Sequence, residues 1–491
     1  MKQKDFVFNL CILLFLNLLI KPFWLFGIDI GVQNRVGAAD YGMYFALFNF
    51  TYLFNILLDM GTTNYNNCSV ARQAQLQEKQ LSGIVTLRFL LGAVYMTVVF
   101  VLALVVGYRG LQLKLLFWTA INQFLNAFML YLRSNVSALM MFKTDSVLSV
   151  LDRLLMILFC GILLWGNVLK QPFRIEWFVY CQTAAYVLAI LAASLIVVSH
   201  TRFRRLSWDW TFFKTVLRNS LPFATLTLLM SCYYRIDSVM IERMLPENVA
   251  AAQAGVYASA FRLLDALVMV AYLFSVILLP LFSRMIARKE NLRPIIKTSF
   301  SLLFVFCCSA VTILFAYRQP LMELLYHNHI EESVQVFSVL LFSIVPISFT
   351  YLFGTLLTAN GNMKKLNITA AVGIVVNVTI NLLLIPRIAA CGAAVAGVCT
   401  QAVVCIVETA LAAKALRLPL RMFPWLSCGM FSVLLAVVTA MCHRFLHCHV
   451  LVALTALAIA ALGIGFATRL IQVKQMRDFE SEGEGVSDFR L

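Results

Sequence analysis

Four ionisable side chains fall inside long apolar runs of this chain: Lys21, Arg235, Arg262 and Asp265. An ion in a membrane-spanning helix costs roughly 2.5–3.5 kcal/mol on insertion scales, so such a side chain faces a polar interior, a partner or the interface. A rise of about 1.5 Å per residue puts Lys21 past the middle of its run and Arg235 at a comparable depth. Arg262 and Asp265 lie a third to a half of the way along theirs, spaced i, i+3 so that they can pair. Three cations against few buried acids suit a compact anion, such as a phosphate or pyrophosphate, better than a cationic drug. The plainer alternative for each is an ion pair between helices, or a side chain snorkelling to the interface. Asp29, Asp59 and Asp237 could bind a cation and so couple or gate movement, and Arg88 stands with them. Asp29, Asp59, Asp152, Arg153 and Glu408 fall nearer the ends of their runs, where structural pairing is the simpler reading. Lys21 precedes Pro22, which should bend the first helix at the lysine.

These residues are carried by hydrophobic segments. The 491-residue chain is 62% apolar and 13% charged, too little charge to solvate a soluble protein of this length. A span needs roughly 20 mainly apolar residues. About fourteen such runs occur, near 6–31, 41–63, 81–106, 111–132, 146–165, 176–199, 219–241, 254–282, 298–317, 335–358, 366–386, 390–413, 424–442 and 449–468. The run 111–132 is the weakest, with Lys114, Asn122, Gln123 and Asn126 inside it. The first run continues through Lys21-Pro22 without a small-residue cleavage site, unlike a signal peptide. The expected fold is an all-α polytopic membrane protein.

Two stretches repeat one pattern. Ile28-Asp29 is followed by Gly42-Met43-Tyr44, Ala46 and Phe48, and Ile236-Asp237 by Gly255-Val256-Tyr257, Ser259 and Phe261. Arg262 then aligns with Asn49, so the same face is polar in both halves. Duplication written in spans is a common plan of transporters, with a substrate site between pseudo-equivalent bundles. The expected organisation is a six-helix lobe over 1–199, a basic cytoplasmic linker at 200–218 and a second six-helix lobe over 219–413. Two further helices occupy 414–468, and a cytoplasmic tail 469–491.

The net charge of +16 does not imply nucleic acid. With the N-terminus inside, about 25 Lys/Arg collect on the cytoplasmic side and about 9 outside, the positive-inside bias. Both termini are therefore expected in the cytoplasm, with the basic clusters against anionic headgroups. The thirteen cysteines have no metal spacing and no paired outer-loop pattern. His443, His447 and His449, and likewise His327 and His329, read as solvated loop residues; neither a metal nor a cofactor is expected. No connection has room for a catalytic domain, and no Walker A pattern is present, so the chain reads as a non-enzyme.

Three stretches resemble the polysaccharide-biosynthesis flippases, the O-antigen and capsule branch of the multidrug/oligosaccharidyl-lipid/polysaccharide (MOP, MATE-like) superfamily. The first runs from Phe26-Gly-Ile-Asp29 through Val36-Gly37 and Tyr41-Gly-Met-Tyr44 to Leu57-Leu-Asp59-Met-Gly61. The second is Tyr234-Arg-Ile-Asp-Ser-Val-Met-Ile241 with Gly255-Val-Tyr257 and Arg262-Leu-Leu-Asp265. The third is Ala359-Asn-Gly361, Asn377, Asn381-Leu-Leu-Leu-Ile-Pro386 and Gly392-Ala-Ala-Val-Ala-Gly397. The resemblance implies two six-helix lobes plus two C-terminal helices in a bacterial inner membrane. It also implies alternating access that carries an undecaprenyl-pyrophosphate-linked oligosaccharide outward, beside a glycan polymerase and glycosyltransferases. On that expectation Lys21, Arg235, Arg262, Asp265 and Asn49 line the cavity. The Asn-rich Asn64-Tyr-Asn-Asn67 departs from the pattern.

Two other functions compete. A cation-coupled drug antiporter on the same fold is opposed by the cationic interior, although Asp265 beside Arg262 weakens that objection. A membrane glycosyltransferase or polysaccharide polymerase would be expected to carry its catalytic groups on a sizeable outer loop, and the outer connections 242–253 and 318–334 are short.

Overall fold

A computed structural model describes residues 19–20, 22–60, 75–138, 141–166, 171–200, 208–445 and 449–471. Lys21, the Asn64–Asn67 stretch and the end of the tail lie outside these. Pro22 is followed by a π-helical turn, Trp24–Asp29, which passes directly into α1 (Ile30–Val36). The i→i+5 pairing makes this segment irregular, while the bend expected at Lys21 falls outside the described residues. Gly37 then takes φ of 89°, open to glycine, and turns the chain into α2 (Ala38–Leu53). α3 (Ile56–Asp59), α4 (Gln75–Val106), α5 (Leu111–Ala138), α6 (Phe142–Trp165) and α7 (Ile175–His200) follow. Next come α8 (Trp210–Met244), α9 (Glu247–Ala287), α10 (Arg293–Ala316), α11 (Arg318–Leu325) and α12 (Ile330–Leu340). α13 (Ile344–Ala359), α14 (Met363–Leu416), α15 (Trp425–Phe445) and α16 (Val450–Ala467) complete the set.

The described residues form no strand, and ten helices are long and apolar enough to cross a membrane. One of the ten, α14, is bent back on itself. α14 carries Pro386 and breaks at Ile388 and Ala389, the latter at φ 46°. Eight residues of straight helix would span about 12 Å. Instead, a Cβ on Gly392 would sit 2.7 Å from the Leu384 carbonyl, so the chain has doubled back on itself. The break separates the two runs read at 366–386 and 390–413. A milder interruption divides the run at 335–358, where a 3-10 turn at Leu341–Ser343 lies between α12 and α13. Pro346 lacks the N–H that would bind the carbonyl one turn earlier, which loosens the ladder there.

The chain divides into two compact units, Met1–Gly255 and Val256–Leu491. In the first, α2 is central, packed on α5 and α8, while α7 lies against α5 and α6. In the second, α10 packs on α13, α15 and α16, and α13 lies along α14. Outward side chains such as Leu195, Val105, Leu426 and Ile459 are exposed and apolar, which water would not tolerate over so many helices but lipid does. The protein is a multi-pass, all-α membrane protein.

Candidate functional site

α2 and α8 bring residues of both repeats together within the first unit. Asn49 is 1% exposed and its Nδ2 donates to Ser238 Oγ at 2.9 Å. Its Oδ1 is buried without a hydrogen-bond partner among the described residues. Asp237 is buried beside Ser238, whereas Arg235 is half-buried. The Arg235 guanidinium lies 5.2 Å from the Tyr52 ring centre and 5.1 Å from that of Tyr234. Aromatic faces hold a cation in place through the ring quadrupole. A spacing of two residues sends Arg235 and Asp237 to different faces of α8, so the cation sits on the ring-lined side and the acid inside the packing.

Close approach of α2 and α9 explains the two small-x-Tyr starts. A Cβ on Gly42 would run into the Ala251 carbonyl oxygen and the Gly255 nitrogen, and one on Gly255 into the Ala38 carbonyl. Each glycine of the repeated pattern is thus required by the other's backbone. Gln33 Nε2 donates to the Gly255 carbonyl at 3.1 Å beside this crossing. Burial, then the nearby Glu176 carboxylate, push the Asp40 carboxyl at the start of α2 above the usual carboxylate range.

Asp29, Asp59 and Asp152 have defined partners. Asp29 closes the π-helical turn, 2% exposed, and accepts from Tyr41 Oη at 2.8 Å. Asp59, ending α3, pairs with Arg88 of α4. Arg88 is 1% exposed, donates to the Ala127 carbonyl at 2.9 Å and lies over the Tyr131 ring at 4.6 Å. This unites α3, α4 and α5 around one buried cation. Arg153 pairs with the adjacent Asp152 at 3.5 Å and covers Trp24. In the second unit, Arg262 and Asp265 are both half-buried on α9, one turn apart.

Two polar groupings were not anticipated. Glu242, at the start of the stretch 242–253 expected to be an outer connection, is buried and accepts from Tyr108 Oη at 2.9 Å and Gln112 Nε2 at 3.0 Å. Arg243 stacks on Tyr108 at 3.6 Å and completes the cluster. Glu408 of α14 is buried against α13. A signal for the second was present, since Glu408 is the acid inside the run 390–413. No group of three His, Cys, Asp or Glu side chains converges as a metal site among the described residues.

The sequence model of the family described as polysaccharide biosynthesis protein matches residues 9–286, more than half of the chain. The MatE family model matches residues 222–383. No curated protein matches the sequence significantly. Among solved structures, the lipid II flippase MurJ in an inward closed conformation superposes with a TM-score of 0.74 at 10% identity, covering 93% of this chain and 97% of that one. An inward-facing multidrug-resistance MATE transporter gives 0.63 at 15% identity, covering 80% and 94%. A MOP superfamily transporter from Pyrococcus furiosus, whose binding pocket is described as having reverse polarity, gives 0.59 at 15%, covering 84% and 95%. The chain belongs to the polysaccharide biosynthesis protein family and has the fold of the MOP superfamily transporters.

Proposed function

We propose that the protein is a flippase that moves an undecaprenyl-pyrophosphate-linked oligosaccharide across the bacterial inner membrane, for O-antigen, capsule or exopolysaccharide synthesis. The observation that carries this reading is membership of the polysaccharide biosynthesis family over residues 9–286. The cations Lys21, Arg235 and Arg262 hold the pyrophosphate with Asp265 beside Arg262, while Asn49 supports the site from within the packing through Ser238. Several fixed donors offset the hydration that such an anion loses in a low-dielectric space. Two six-helix lobes, 1–199 and 219–413, exchange access around it, with both termini cytoplasmic. Glycosyltransferases supply the substrate and a glycan polymerase consumes it. The likeness to the lipid II flippase supports a lipid-linked glycan as cargo.

The test is surface polysaccharide in a strain lacking its own flippase. Restored display with the wild-type chain supports the reading; unchanged display, with the protein present in the membrane, refutes it. The match of residues 222–383 to the MatE model favours a second reading, cation-coupled export of small molecules. Drug resistance conferred without any effect on glycan display would select that one.

A further inference from the structure

A cavity of about 270 Å³ opens in the second unit where α9 ends, α10 begins and α14 ends. Ile286, Leu292, Leu416 and Leu418 give it apolar walls, and Lys289 and Arg293 add cationic ones. The charge around it is one-sided: residues 284–297 and 414–421 hold eight Lys or Arg and a single acid, Glu290. That acid is engaged by Arg288 at 3.8 Å. Lys289 and Arg293 form no ion pair among the described residues. Arg284, in the last turn of α9, has its Nη1 buried without a hydrogen-bond partner among the described residues.

Both helices that stop here turn out through a cation. Lys289 follows α9 at φ 56° and Arg417 follows α14 at φ 49°, the left-handed conformation that glycine usually supplies at a helix end. A side chain is strained there, so two strained positions carry positive charge beside the walls. The negative ends of the two helices offset only about one unit of charge between them. The surplus of cations over acids is seven, so the site is short of an anion.

The same chain carries such an anion. Between 478 and 488 stand Asp478, Glu480, Glu482, Glu484 and Asp488, with no Lys or Arg among them. Phe479 lies between the first two acids, an aromatic ring flanked by carboxylates. Apolar walls with a cationic rim are the complement of that pattern. α15 and α16, each long and apolar enough to cross once, carry the chain away from Leu416 and back, so residue 471 returns to the membrane face where the cavity opens. A Cβ on Gly465 would stand 2.8 Å from Ile471 and 3.5 Å from Val305, so the chain at 471 lies against α10. From Val305 back to Arg293 is about 18 Å of helix, and the nine residues from Ile471 to Glu480 extend to about 30 Å. A ligand tethered that closely acts at a local concentration of about millimolar, so even weak contacts suffice.

We infer that the acidic stretch 478–488 docks at this cavity, with Phe479 between the apolar walls and the neighbouring carboxylates on Lys289 and Arg293. Docked, it ties the ends of α9, α10 and α14 together, a contact that is given up whenever these helix ends move apart. The competing occupant is an anionic lipid headgroup, which has the charge but not the tether. The inference is independent of what the protein carries.

The experiment uses the full-length protein in nanodiscs of neutral phosphatidylcholine, with the photo-cross-linker p-benzoylphenylalanine in place of Phe479. Irradiation followed by peptide mass spectrometry should place the cross-links within 286–293 and 416–418. Lys289→Glu with Arg293→Glu should remove them. Adding Asp478→Lys with Glu480→Lys should bring them back, because the exchanged charges re-form the pairs. That rescue also controls for folding, since a protein that has lost its fold is not restored from the tail. Added salt should weaken the cross-link. Cross-links that fall elsewhere, that survive the reversal at 289 and 293, or that the exchanged tail does not restore overturn the docking. So does a tail that cross-links in neither lipid while wild type, but not K289E with R293E, retains phosphatidylglycerol from nanodiscs containing it; that result assigns the cavity to a headgroup.

Discussion

Removing the charge of Asp59 should cost the protein more than removing its partner. Arg88 has 2% of its side chain exposed, whereas Asp59 has 30%, so the two ends of the pair are desolvated unequally. Asp59→Asn leaves a guanidinium enclosed by the Ala127 carbonyl and the Tyr131 face, with no counter-charge. Breaking a buried pair in this way costs about 3–5 kcal/mol. Arg88→Met removes the buried charge with a side chain of similar length and leaves a carboxylate that water reaches. Its cost is the lost hydrogen bond and ring contact, about 1–2 kcal/mol. The double variant has no charge left to strand, so it should resemble R88M, giving a coupling energy about as large as the D59N cost itself, about 3–5 kcal/mol. The assay is reversible unfolding in mixed detergent micelles, where each 1.4 kcal/mol is about a tenfold change in the unfolded population. D59N should therefore raise that population by about a hundredfold or more, and adding R88M should reverse most of the loss. Costs that add within about 0.5 kcal/mol would refute the pair as the organising contact of α3, α4 and α5.

Arg235→Ala or Arg262→Ala should abolish surface glycan without lowering protein level, and Lys at either position should keep part of the activity, because charge survives and the planar fork does not; normal display by a triple Ala variant of Lys21, Arg235 and Arg262 would exclude the anion-holding role. Gly42→Val should destabilise the α2–α9 crossing by about 1–3 kcal/mol, as overpacking does, and a lowered unfolding midpoint checks it. A valine at Gly429, where a Cβ meets nothing, should leave the midpoint unchanged. Cysteines at His200 and Thr201 should be protected from an impermeant maleimide in intact cells while one at His329 is labelled; the reverse pattern would invert the topology.

The fold was legible because the membrane writes it in composition. Runs of apolar residues mark the helices, and even the poorest, 111–132, forms α5 over its full length. Its polar residues are used inside: Asn122 accepts from Thr183 Oγ1 at 2.7 Å and donates to the Val179 carbonyl at 3.2 Å. Polar side chains across helix pairs are a common glue in lipid, and hydropathy alone counts them as a defect. Partnership was less legible than burial. The two-residue spacing of Arg235 and Asp237 sets them on different faces of one helix, but nothing in it marks the Tyr52 ring that receives the arginine, which comes from α2, more than 180 positions earlier. Glu242 was invisible as a buried acid because its donors, Tyr108 and Gln112, belong to a distant connection and helix. Depth along a span misled in one case: Glu408 lies near a helix end, where an acid ordinarily reaches water, yet α13 closes over it.

The duplicated pattern has a physical basis in the contact of its own glycines. Two helices packed through ordinary side chains keep their axes 8–10 Å apart. Glycine at both faces removes the spacer, so the backbones of α2 and α9 touch where the chain reads Gly42-Met-Tyr44 and Gly255-Val-Tyr257. The tyrosines two residues on then face away from that seam into their own surroundings, Tyr44 against Phe178 at 5.3 Å and Tyr257 against Phe261 at 5.4 Å. A spacing of small residue, any residue, aromatic therefore encodes a tight seam beside a stiff aromatic wall, and both copies need it for the same reason. The polar positions of the pattern are divided differently: Asn49 bonds Ser238 in the packed interior, while its aligned counterpart Arg262 stays half-buried. The two halves thus keep equal packing at the glycines but unequal charge at the aligned polar position.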